Sequence, residues 1–265
     1  MPKDRLGRRS RFRRTRTGKI IQLTDRDIEI LRCLYRYRFL RAPQLVAFLK
    51  PRSEKRFIER LGDLFHETGL IDRPKAQWRT FDAHYAPIIY ELSPKGQKHL
   101  EALGALSQRA TSLARRGRLG STPQFDHAMM IVDATVEVEL ETITAPDQRF
   151  VPVDEILERA PETTWQTSKP LAIQVTIRPC SELPALKAPY STHIVPDGLY
   201  GIEYLIDGEK RYRFWALECE NRSPTWRSKT GFSHTAMKQA AYDALIRSGQ
   251  HRKVWGIPNL KLRVT

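Results

Sequence analysis

Apolar residues recur at helical spacing in three successive stretches near the start of the chain. Ile28, Leu31, Leu34 and Tyr35 predict an amphipathic helix over residues 25–37. Thr24 stands at its N-cap, Asp27 three residues on completes the pattern of a capping box, and Asp25 favours the positive helix end. Leu45, Val46 and Leu49 supply the face of a second, short helix over 43–49, where Pro43 suits the first turn. Ser53 caps a third helix over 54–67 with the stripe Phe57, Ile58, Leu61, Leu64 and Phe65, which leaves Lys55, Arg56, Glu59, Arg60 and Asp63 largely outside. After Gly69, Leu70–Ile71 reads as a short strand, and a polar loop holds Arg73, Lys75, Trp78, Arg79 and His84. The run Ile88 to Leu92 supplies a return strand, and Ser93-Pro94 opens a last helix carrying Leu100 and Leu103.

The pattern lapses over residues 107–123, which are small, basic and Gly-containing and close on Pro123, the composition of a linker. It resumes with a helix over roughly 124–142, marked by Phe125, Ile131, Val132 and Val138. A strand near Phe150–Val153, a short helix over 154–160 and an alternating strand Leu171–Ile177 follow. Next come the segment His193–Ile202, which contains Pro196-Asp197-Gly198, a turn at Asp207-Gly208 and the strand Tyr212–Glu220. A helix over roughly 229–247 carries Met237, Ala241, Tyr242 and Leu245. Strands at Val254–Ile257 and Leu260–Val264 end the chain, directly after which it stops, leaving open a truncated C-terminus. The fold class is α+β in two domains: a basic arm over 1–19, a first domain over 20–106, the linker, and a second domain over 124–265.

Charge separates the two halves. Residues 1–123 hold 28 Lys and Arg against 12 Asp and Glu, whereas residues 124–265 hold 17 against 18. The basic half is the one expected to meet a polyanion, because neutralised phosphates release counterions. The arm carries nine Lys and Arg against Asp4 alone and cannot bury a core, so it is expected to be disordered when free. Its Arg13, Arg14 and Arg16 are candidates to follow a DNA backbone or enter a minor groove; a solubilising tail is the alternative. A hydrophobic content of 40% fits globular folding, and no apolar run approaches the roughly 18 residues of a membrane span. No apolar stretch follows the basic N-terminus, so it does not read as a secretory signal. Cys33, Cys180 and Cys219 form no C-x-x-C pair, which predicts free thiols in a reducing cytoplasm, and the seven histidines show no metal-ligand spacing.

Three helices, a hairpin and a closing helix resemble a winged helix-turn-helix domain, carried by T-D-R-D-I-E-I-L-R-C-L and Y-E-L-S-P-K-G-Q-K-H-L. The resemblance implies that the third helix enters the major groove while the wing touches backbone or minor groove. Arg52, Lys55, Arg56 and Arg60 are then the recognition-helix candidates, and Arg73, Lys75 and Arg79 the wing candidates. In the second half the order Pro-Asp, hairpin, Glu-x-Glu resembles the PD-(D/E)xK restriction-endonuclease-like fold. There an Asp and a Glu hold Mg²⁺ and a Lys two residues beyond the Glu helps activate water. Asp197 and Glu218 match the two acids as metal ligands; Glu220 stands at the Lys position, and Lys238 or Lys229 on the next helix is the candidate replacement.

Taken whole, residues 20–265 resemble the replication-relaxation family of bacterial plasmids and other mobile elements, through P-D-G-L-Y, A-L-E-C-E-N-R-S and K-Q-A-A-Y. The resemblance implies a bacterial, cytoplasmic protein that binds double-stranded DNA and meets plasmid replication or transfer proteins; a helix-turn-helix that reads a palindrome would in addition be a homodimer, with the second domain as the expected interface. DNA binding is expected to need no cofactor. The alternative is a Mg²⁺-dependent endonuclease whose first domain selects the site, with Asp197, Glu218, Glu220 and Lys238 as its catalytic set.

Overall fold

Asp27 closes the first turn of helix α1 (Asp25–Tyr37): its Oδ2 accepts the Thr24 backbone N–H at 2.7 Å and the Thr24 hydroxyl at 2.9 Å, as the capping box predicts. The computed structural model describes residues 9–79, 85–106, 125–181, 183, 186–220 and 234–265. Its contacts divide into two units, Met1–Val132 and Asp133–Thr265. The architecture is α+β in both.

In the first unit α1 is followed by β1 (Phe39–Arg41), α2 (Ala42–Leu49) and α3 (Glu54–Asp63). Ser53 caps α3, its Oγ accepting the Arg56 N–H at 3.4 Å. The helix runs on through one π-helical turn, Leu64–Thr68, until Gly69 at φ 69° ends it. β2 (Ile71–Asp72), a 3-10 turn (Lys75–Arg79), β3 (Ile89–Leu92) and α4 (Pro94–Ala102) complete the unit. The antiparallel sheet has the order β1-β3-β2, with Phe39 opposite Glu91 and Ile71 opposite Leu92. Leu31, Leu34, Leu45, Leu61 and Leu64 are fully buried and join the helical faces into one core. Gly96 is required where α4 meets the turn before β2: a Cβ there would lie 2.1 Å from the Leu70 carbonyl oxygen. Ser93 Oγ donates to the carbonyls of that same turn and accepts the Gly96 N–H at 3.0 Å.

The second unit takes up α5 (Phe125–Thr144), which begins in the first, then β4 (Gln148–Val151), α6 (Val153–Arg159) and α7 (Glu162–Trp165). β5 (Ile173–Ile177) and β6 (Tyr190–Ile194) pair only with each other. The hairpin β7 (Gly198–Ile206) and β8 (Glu209–Glu218) turns at Asp207-Gly208, both at positive φ, as a tight two-residue turn requires. α8 (His234–Ser248), α9 (Gln250–Trp255) and β9 (Lys261–Val264) follow. The main sheet has the order β4-β7-β8-β9, antiparallel except for β8 with β9. That parallel pair needs a long crossover, which α8 and α9 supply. The strand expected at Val254–Ile257 is instead the end of α9 and a turn at Gly256, φ 69°. A four-residue apolar run has no period of its own, and here Trp255, 1% exposed, anchors a helix.

Candidate functional site

The start of α3 presents Lys55 and Arg56 to solvent, and Arg52, just before the Ser53 cap, does the same. All three are exposed and without a side-chain partner among the described residues. Lys55 and Arg56 lie in the first helical turn, off the face that Phe57 and Leu61 bury, and Arg52 lies in the loop just before it. Arg60, one turn further, is turned inward. Its Nε donates to Asp27 Oδ1 at 2.9 Å and its Nη2 to Asp27 Oδ2 at 2.5 Å and to the Gln22 carbonyl at 2.7 Å. Asp27 is 1% exposed, and against the upward push of burial the Arg60 and Thr24 hydrogen bonds hold its carboxyl below the usual range. Arg60 therefore ties α3 to α1 in place of the outward position its spacing predicts.

The wing candidates divide in the same way. Arg73 is buried: its guanidinium lies 4.1 Å from the Phe65 ring centroid, its Nη2 donates to Tyr90 Oη at 3.3 Å, and its Nη1 to the Arg11 carbonyl. Burial lowers its pKa, and it serves to pack the arm and β3 on Phe65. Lys75 is exposed. Arg79 closes the 3-10 turn, and its side chain lies outside the described part, as does all of His84.

The arm from Arg9 onward is fastened to the far end of α3. Arg9 bonds Glu67 and Asp63, each at 2.9 Å, and Lys19 bonds Asp63 at 2.6 Å. The Thr15 N–H donates to His66 Nδ1 at 3.0 Å, and Thr17 gives both its N–H and its hydroxyl to Glu67. Arg14 donates to the Phe65 and Ile71 carbonyls at 2.7 and 3.1 Å. Asp63, expected outside, is buried under these cations; burial raises its pKa, but Lys19 and Arg9 bring it below the ordinary value. Composition reads this arm as disordered, and no local signal links it to acids some fifty residues on. Of its three candidates, Arg14 is engaged with the protein, while Arg13 and Arg16 are exposed without a side-chain partner among the described residues.

In the second unit the β7–β8 register pairs Gly198 with Leu217, which puts Asp197 and Glu218 opposite each other at the open end of the hairpin. Asp197 Oδ2 accepts the Cys219 N–H at 2.9 Å. Glu218, 1% exposed, takes the Tyr242 hydroxyl on Oε1 and the Lys238 ammonium on Oε2. Lys238 and Tyr242 lie four residues apart on one face of α8, which makes Tyr242 legible in retrospect as more than an apolar position. Burial raises the pKa of Glu218 against the pull of Lys238 and Tyr242, and burial with the carboxylate bond raises that of Tyr242. Glu220 is half-buried, its N–H donating to the Thr265 carbonyl at 3.0 Å beyond the β8–β9 ladder. Lys229 lies outside the described residues.

These residues do not fit a Mg²⁺ ion as they are arranged. Each Glu218 oxygen already has a donor, and the Lys238 ammonium stands where a metal would take the carboxylate. Among the described residues no three His, Cys, Asp or Glu side chains are grouped to hold a metal. What the cluster does chemically is neutralise itself, one ammonium balancing a buried carboxylate.

No helix among the described residues is long and apolar enough to cross a membrane. No curated protein and no solved structure matches the chain. A family model described as Replication-relaxation matches residues 31–260, spanning elements of both units. The chain belongs to the replication-relaxation family.

Proposed function

We propose that this chain is a double-stranded-DNA-binding protein of a bacterial mobile element, acting in the cytoplasm in replication, relaxation, mobilisation or transcriptional control. The family points to a role in plasmid or mobile-element replication or relaxation. The single observation that carries the DNA reading is the group Arg52, Lys55 and Arg56 at the start of α3, exposed and without a side-chain partner among the described residues, in the half of the chain with the cationic excess. The element order of the first unit and its β1-β3-β2 sheet support a winged helix, in which the start of that helix faces base edges. Arg13, Arg16 and Lys75 are then available to phosphates, while the second unit dimerises or meets replication or transfer proteins. Binding so built rests on side-chain cations and needs no cofactor.

The test is binding of the full chain to a duplex selected from a random pool, beside unrelated duplexes, across a salt series. Arg56→Ala is expected to cost about 1–3 kcal/mol on the selected site and to relax its preference. Equal loss on every duplex removes the base-reading role, and salt-insensitive binding removes the reading as a whole.

One observation favours a second reading, the endonuclease: the hairpin register opposes Asp197 to Glu218, and α8 brings a Lys to them. The occupied Glu218 oxygens weigh against it. Supercoiled plasmid incubated with EDTA, Mg²⁺ or Mn²⁺ is expected to stay intact; metal-dependent nicking lost in both Asp197→Ala and Glu218→Ala reverses the ranking.

A further inference from the structure

An open cavity of about 650 Å³ lies in the second unit, between the end of α7, the outer face of the β5–β6 ribbon and the end of α9. Its frame is fixed. The Thr164 hydroxyl donates to the Val254 carbonyl, and the Trp255 indole N–H donates to the Pro170 carbonyl at 3.2 Å. The ribbon register sets Gln174 opposite His193 on the outer face, while Ile173 and Val175 are buried on the inner one. Lys169, Lys253, His193, Ser168 and Thr163 line the space, each exposed and none with a side-chain partner among the described residues.

The chemistry of this lining is one-sided. Among the described residues it holds two ammonium groups, an imidazole and several hydroxyls, and no Asp or Glu, although residues 124–265 contain more acids than bases. Glu162, next to the lining, has its carboxylate held by Gln166 Nε2 at 2.9 Å. The complement of such a surface is an anion with several acceptor oxygens. Among the described side chains of the lining none is Phe, Tyr or Trp. Phosphate is the group of a nucleic acid that this lining complements, and the volume is ample for one nucleotide unit. Beyond β6 the chain passes through Val195, which also lines the cavity, to Asp197. We propose that this cavity holds a backbone phosphate of a nucleic-acid strand, a sequence-independent contact of the second unit that is separate from α3.

The experiment is a titration of the full chain, read on the ring resonances of His193, with inorganic phosphate in one arm and a short oligothymidylate in the other. Reading at His193 keeps the outcome separate from whether α3 reads bases. Both probes are expected to shift His193, the oligothymidylate at lower concentration. Lys169→Ala/Lys253→Ala is expected to weaken oligothymidylate binding about tenfold and to lower its salt slope by at most about 1.4, roughly 0.7 per lysine on a single strand. Lys169→Arg/Lys253→Arg is expected to restore both, and Lys261→Ala/Arg213→Ala, which removes two exposed cations elsewhere in the unit, to match the wild type. A shift with phosphate but none with the oligothymidylate would assign the cavity to a free phosphate compound and overturn the proposal. So would a control that falls as far as the double alanine variant, or a double variant that keeps wild-type affinity and salt slope.

Discussion

The two ends of α3 carry the same kinds of side chain and use them in opposite ways. At the N-terminal end Arg52, Lys55 and Arg56 face solvent without a side-chain partner among the described residues, although Glu54 shares the first turn. At the C-terminal end Arg60 is clamped on Asp27, while Arg9 and Lys19 reach in from the arm to Asp63 and Glu67. A cation whose partner is a buried carboxylate is part of the fold, because withdrawing it strands a charge in a poorly solvated place. A cation with no partner is held only by its helix and costs little to move, so it is free to meet a phosphate or a base edge. Net charge hides this distinction; partner geometry reveals it.

The sharpest way to break the comparison is Arg60→Ala against Arg56→Ala. Removing Arg60 leaves Asp27, at 1% exposure, with only Thr24 as donor, and is expected to lower the unfolding free energy by about 3 kcal/mol. Arg56→Ala is expected to change it by less than about 0.5 kcal/mol. Urea unfolding of the two variants beside the wild type checks this, and equal stability losses would erase the distinction between the ends of α3.

Lys238 extends the same logic to the second unit. Lys238→Met removes the ammonium from the Glu218 carboxylate, leaving the Tyr242 hydroxyl as its donor, and is expected to cost about 2 kcal/mol at neutral pH. The cost should shrink as pH falls, because a buried Glu218 freed of Lys238 takes up a proton and loses its charge. Melting curves at pH 5 and pH 8 test the difference; an unchanged melting point at both would mean that Lys238 is a surface cation and Glu218 needs no partner.

What the chain revealed in advance follows from the range of each interaction. Local signals were readable: the Thr24–Asp27 box, the Ser53 cap, the stripe from Phe57 to Phe65 and the Asp207-Gly208 turn each lie within a few residues. The Asp197–Glu218 opposition was readable too, since a hairpin pairs residues near in sequence. β1 was not, because three residues of Phe-Leu-Arg show no alternation, and the ribbon cavity was not, because it gathers residues from α7, β5, β6 and α9. The inward turn of Arg60 and Arg73 had no local signal. Helical period says which face a residue occupies, but not whether a carboxylate 33 positions earlier or an aromatic ring waits there.

The smallest effect expected here is also the most specific to the locked end of α3. His66 is 3% exposed, and its Nδ1 accepts the Thr15 N–H, a bond that only the neutral ring makes. Burial, reinforced by Arg73 and Arg9, lowers its pKa from 6.5 to about 4. The unfolded chain protonates this ring near pH 6.5 and the folded chain resists until about pH 4. Stability from the neutral ring is therefore present in full above about pH 6.5 and is lost progressively as pH falls toward 4. The loss is expected to reach about 1 kcal/mol, less than the full pKa difference implies, because the neighbouring arm can loosen to admit solvent. His66→Asn keeps an acceptor near Thr15 but cannot titrate, so its stability should vary less than the wild type's between pH 7 and pH 4.5. Parallel slopes for the two proteins across that window would show that other groups govern the acid limb and that His66 does not couple the arm to pH.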